Sequence, residues 1–196
     1  MNKPAANLTL TCRAECLADR VRLNYAVSSS RPEDIYVLDY VPAAPLGDVK
    51  ARRMVPDFSH ADLRPEGAAA RLLCGIPPLP TDRLVNVRMF PLATKLEPGK
   101  TLERCIEFPL PLREQSPYDC GDKPPQYETV RISRLLLTVH VLSSAAFGVT
   151  VEPAAEPPDF WVVRAPNMVR QAEELAGQVE LPGVDFLKIK DRGSWA

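Results

Sequence analysis

The stretch Arg20-Val21-Arg22-Leu23-Asn24-Tyr25-Ala26-Val27 decides the fold class. Val21, Leu23, Tyr25 and Val27 fall on one side of an extended chain, and Arg20, Arg22, Asn24 and Ala26 on the other. A strict period of two is the pattern of a half-buried β-strand, because successive side chains of a strand point to opposite faces.

The same alternation recurs outward from this segment. Leu8, Leu10 and Cys12 alternate with Thr9 and Thr11. Asp34 to Val41 is rich in β-branched and aromatic residues and apolar on both faces, which predicts a central strand or one covered by a partner. Ala68 to Ile76, Leu84 to Phe90 and Leu102 to Leu110 read as further strands. Val130 to Leu142 is the longest candidate, followed by short strands at Phe147 to Val151, Phe160 to Val163 and Val184 to Ile189. Pro42 to Gly67 and Pro111 to Gln126 read as long loops. In Glu97-Pro98-Gly99-Lys100, proline presets one central position and glycine supplies positive φ at the next, as in a type II turn. Asn167 is placed to cap a helix from Met168, with Val169, Ala172, Leu175 and Ala176 at helical spacing and Gly177 at its end.

Composition bounds the rest. The chain has 196 residues, enough for one sizeable core, and residues 1–196 are expected to form a single domain. Its 21 prolines are roughly twice the average usage of about 5%. They separate the apolar runs rather than forming one tract, as expected of residues that cannot donate to a sheet ladder. Together these features predict an all-β fold, a two-sheet antiparallel β-sandwich with one short C-terminal helix. In architecture it resembles an immunoglobulin-like or related Greek-key sandwich, without the cysteine–tryptophan–cysteine spacing of antibody domains. Residues 152–196, after the proline-rich Glu152 to Asp159, are expected to form a C-terminal extension that docks on the sandwich or mediates self-association.

The formal net charge is −1 and the charges are mixed locally, so no basic face for nucleic acid or anionic lipid is legible. Leu135 to Val151 is uncharged but carries Thr138, His140, Ser143, Ser144 and Gly148. It is shorter than the roughly 20 apolar residues a membrane helix needs, so strand–turn–strand is the reading. The first residues lack an apolar export segment, which together with an odd count of five cysteines predicts free thiols and a cytoplasmic protein. A removed signal peptide would make it secreted or periplasmic instead.

Motifs for chemistry are incomplete. Gly99-Lys100-Thr101 resembles the end of a phosphate-binding loop, but Thr94 stands where the first glycine belongs and a strand follows where a helix is needed. Cys12 and Cys16 are four apart without a second close pair for zinc. Cys120 would need His60 or His140 as a base, and nothing in the sequence brings either to it. Glu103 and Glu107 share a strand face about 13 Å apart, too far for a glycosidase pair. Asp57, His60 and Asp62 gather carboxylates and an imidazole in one loop and are the candidate metal ligands.

The expected function is therefore a non-catalytic binding or structural module that engages a protein partner, with no cofactor. Contact is expected through loops, an edge strand or the C-terminal extension, with a homodimer as one form. Trp161, Met168, Val169, Leu175, Phe186 and Trp195 are the candidate contact residues, because large apolar side chains are enriched at interface centres. The alternatives are a metal-dependent enzyme or binder using the 57–62 loop, and a carbohydrate or small-ligand sandwich using Tyr36, Tyr40, Tyr118 and Tyr127.

Overall fold

A computed structural model describes residues 7–40, 61–81, 85, 90–119, 125–154 and 159–190. The predicted strand at 84–90 lies almost wholly outside them, as do Asp57, His60, Cys120 and Trp195.

Two sheets stack face to face. The smaller has three antiparallel strands, β1 (Leu8–Cys16), β2 (Arg20–Ser29) and β7 (Thr101–Pro109), with β2 in the middle. The opening alternation is seen directly: Val21, Leu23, Tyr25 and Val27 are buried, and the residues between them are half-exposed. The larger sheet has nine strands. It contains β3 (Ile35–Tyr40), β4 (Asp62–Glu66), β5 (Ala69–Cys74), β6 (Leu92–Leu96), β8 (Leu112–Arg113) and β9 (Tyr127–Ser143). It also contains β10 (Thr150–Pro153), β11 (Trp161–Arg164) and β12 (Glu173–Ile189). Its main path runs β10-β11-β6-β3-β9-β12-β8. β9 is long enough for β5 to occupy one part of its edge and β3 the other, with β12 along the opposite edge. β3 is central, as its two apolar faces require.

The sandwich departs from expectation in two ways. The larger sheet is mixed, since β5 runs parallel to β9 and β8 parallel to β12. Residues 62–66 of the expected loop are a strand, joined to β5 through Gly67. Gly67 has φ 63°, and positive φ at the first central residue of a two-residue turn is the type II′ pattern. The type II turn at 97–100 forms, with Lys100 N–H donating to the Glu97 carbonyl and Gly99 at φ 71°. It does not close a hairpin; it carries the chain from β6 in one sheet to β7 in the other.

The helix is also shorter than its spacing implied. α1 is one turn, Met168–Gln171, and Asn167 takes a left-handed conformation with no side-chain cap. Leu175, Ala176 and Gly177 belong to β12, which pairs with β9 from Glu173↔Val141 to Ile189↔Tyr127. A strand of 17 residues, paired to β9 on both sides of a register shift, and a buried face outweigh the weak local helix preference of this segment. Gly177 marks close approach, not a helix end: a Cβ there would stand 2.8 Å from Cys12 Sγ, where β1 folds down against β12. Gly177→Ala is expected to cost about 1–3 kcal/mol by overpacking. Adding Cys12→Ala should recover most of it, as read from denaturant midpoints.

One core fills the space between the sheets. Leu23, Ile106 and Phe108 of the small sheet meet Val37, Leu137 and Val139 of the large one. A second, smaller core covers the outer face of the large sheet. There Tyr36, Leu38 and Leu142 lie under Ile76, Val163 and Met168. Ala146 and Val149 from the turn after β9, with Val163, Ala165, Met168 and Ala172 around α1, therefore form a cap over the back of β3 and β9.

Candidate functional site

Three places concentrate polar or exposed apolar chemistry. The first is buried. β3 projects Asp39 inward in phase with Ile35 and Val37, and β7 projects Arg104 inward in phase with Ile106 and Phe108. Arg104 Nε donates to Asp39 Oδ2 at 2.8 Å, and Thr94 Oγ1 donates to Oδ1 at 3.0 Å. The Tyr25 hydroxyl donates to Oδ2 at 3.4 Å, and the guanidinium sits 5.6 Å from the centre of the Tyr40 ring. Burial pushes the Asp39 carboxyl above its ordinary value, while the Arg104 charge and the Arg104 and Thr94 donors pull it back. Burial also drives the Cys74 thiol far up, so it is held as the unreactive neutral form. Both carboxylate oxygens of Asp39 are engaged, which makes the group a clasp between the sheets.

The second is the outer face of the small sheet. Charged side chains pair across its strands at one end: Glu107 accepts from Arg20 at 3.1 Å and from Arg22 at 2.8 Å. Those donors hold Glu107 below the usual carboxylate range. Beyond this ladder lies an open hollow of about 440 Å³, with Arg13, Asn24, Glu103 and Cys105 among its lining residues.

The third is the cap. Phe147, at the tip of the turn after β9, is 83% exposed, and Val169 on α1 is 46% exposed. The two elements are tied together. Gln171 Nε2 donates to the Phe147 carbonyl at 3.2 Å and also to the Pro166 carbonyl. Gly148 packs so closely on Pro166 that a Cβ would stand 2.9 Å from its ring. Beneath them Trp161 meets Tyr36 edge to face at 6.1 Å.

The expected contact residues are thus distributed unequally. Val169 is exposed and Trp161 half-buried, while Met168 and Leu175 are buried in different cores and Phe186 is fully enclosed. Of the expected metal ligands, Asp62 is buried and its Oδ1 accepts from Arg64 Nε at 2.7 Å. Among the described residues, no three His, Cys, Asp or Glu side chains converge as metal ligands do. His140 is enclosed against Ile76 and Glu174. Cys12, Cys16, Cys74 and Cys105 are free thiols. Of the suspected tyrosines, Tyr36 and Tyr118 are buried, and Tyr40 stacks edge to face on Phe160 at 4.1 Å. No helix among the described residues is long and apolar enough to cross a membrane.

Two features of the geometry were not read from the sequence. Arg104 and Asp39 stand at inward positions of otherwise apolar alternations, and opposite charges at such positions are the signal of a buried pair. Phe147 follows Ser143-Ser144-Ala145-Ala146 and precedes Gly148, a lone aromatic among turn residues. Comparison with the models of known protein families, with curated proteins and with solved structures finds no match.

Proposed function

We propose that this chain is a non-catalytic binding module that engages a protein partner through the cap on the outer face of its large sheet. The observation that carries the reading is the exposure of Phe147 and Val169, an aromatic and an aliphatic side chain on a turn and a helix that Gln171 ties together. Interface hot spots combine large apolar anchors with rigid support, since a preorganised anchor loses little conformational freedom on binding. The partner is another protein or a second copy of this chain. A photo-crosslinking residue in place of Phe147 should give one discrete adduct in the source lysate, and its mass separates those two outcomes. The same residue in place of Arg13, on the opposite face, should give none. Val169→Asp should abolish the adduct while leaving the thermal midpoint within a few degrees, because the side chain is largely in solvent. Equal labelling from both faces, or none from position 147, would overturn the reading.

A second reading, small-ligand binding, draws support from the hollow on the small sheet. Arg13 and Glu103 give it charges of both signs on either side of Asn24, suited to a small zwitterionic ligand.

A further inference from the structure

His140 lies on the outer face of β9, and the chain leaving β5 passes directly over it. Ile76 N–H donates to His140 Nδ1 at 3.1 Å. The main chain of Gly75 lies against the ring so closely that a Cβ there would stand 2.5 Å from Cγ. Ile76 then drops its side chain into the second core, and Pro77, Pro78 and Pro80 follow. On the other side, Nε2 is 3.8 Å from Glu174 Oε1 on β12.

These contacts fix the state of the ring. An Nδ1 that accepts a hydrogen bond carries no proton, so the neutral imidazole keeps its hydrogen on Nε2, facing Glu174. Protonation at Nδ1 would set two N–H groups against each other and remove the bond to Ile76. Glu174 is the charged group facing the ring. From β5 and its continuation come the main chain of Gly75 and Ile76. On the same face of the sheet lie Thr138 and Leu142 of β9, with Tyr36 of β3 in register with Leu142.

We infer that His140 is a proton-operated latch that holds segment 75–81 against the large sheet at neutral pH and releases it on acidification. Release withdraws Ile76 from the second core and uncovers Leu38 and Leu142. Consistent with this geometry, burial lowers the affinity of the ring for a proton, and Glu174 partly restores it. The folded state therefore binds fewer protons than the unfolded chain just below about pH 6.5. Closure is complete above that pH and weakens as pH falls through the folded value.

The test is amide exchange and ring titration by NMR on the whole chain. Between about pH 7.5 and about pH 5 the protection of the Ile76 amide, corrected for intrinsic exchange, should fall about tenfold or more. His140→Asn sets an Oδ1 acceptor near the position of Nδ1 and cannot titrate, so its protection should not change with pH. Glu174→Gln, at an exposed position, should move the wild-type transition to lower pH by removing the anion that favours the charged ring. Undiminished protection at pH 5, an equal loss in His140→Asn, or an unmoved or raised transition in Glu174→Gln would each overturn the latch. The inference does not depend on which partner the cap engages.

Discussion

Arg104→Met is expected to lower the unfolding free energy by about 3–5 kcal/mol in urea titrations, because it leaves the Asp39 charge buried without its counter-ion. Arg104 is the only one of Asp39's three donors that carries charge. Thr94 and Tyr25 would remain, and neutral hydrogen bonds do not replace an ion pair in an enclosed site. The loss should depend on pH in a definite direction. Burial already raises the Asp39 carboxyl, and removing Arg104 raises it further. A group with a raised folded value contributes its full stability below the unfolded value, about 3.9, and loses it as pH rises through the folded value. The gap between variant and wild type should therefore be widest near neutrality and narrow toward pH 4. Adding Asp39→Asn removes the charge while keeping a carbonyl oxygen for Thr94, and should recover much of the loss. A cost below about 1 kcal/mol for Arg104→Met would show that the pair is weakly coupled to folding.

Phe186→Ala is expected to cost about 3–5 kcal/mol. The ring is fully enclosed, and β12 places it beside Leu112 of β8 and Val130 of β9. Truncation leaves a void between rigid strands that cannot collapse to fill it. The sequence reading offered Phe186 as a contact residue, and the two roles give opposite results. A core role predicts a lower denaturation midpoint with unchanged mass in light scattering. A contact role predicts an unchanged midpoint with altered association.

The layered β architecture was legible because inward and outward side chains alternate cleanly where one face is buried, as in Val21 to Val27. It became illegible where that rule is suspended. In β12, Gly177 interrupts the apolar face, and Met168, Val169, Ala172 and Leu175 happen to fall at helical spacing. The actual period of two, Leu175, Val179 and Leu181, is then broken by a register shift between Glu180 and Val184. β6 was missed because Leu92-Ala93-Thr94-Lys95-Leu96 is too short to show a period. The inter-sheet clasp was hidden for a different reason. A charged residue at an inward position contradicts the local pattern, and only a partner distant in sequence makes it permissible. Asp39 and Arg104 lie 65 residues apart. The cap depends on a tertiary arrangement too, since the turn carrying Phe147 is held by Pro166 and Gln171, some twenty residues further on.

The position of β9 bears on how the chain is made. One of its edges is shared by β3 and β5, both translated earlier, and the other is covered only by β12, the last described strand to leave the ribosome. Until then a nascent chain presents a long unpaired edge beside Leu135, Leu137 and Val139, and β1 has no strand beneath Cys12. Such unsatisfied edges template association between neighbouring chains, and pairings this distant in sequence form slowly. The interval before β12 emerges is thus when the open edge of β9 most favours association between neighbouring nascent chains.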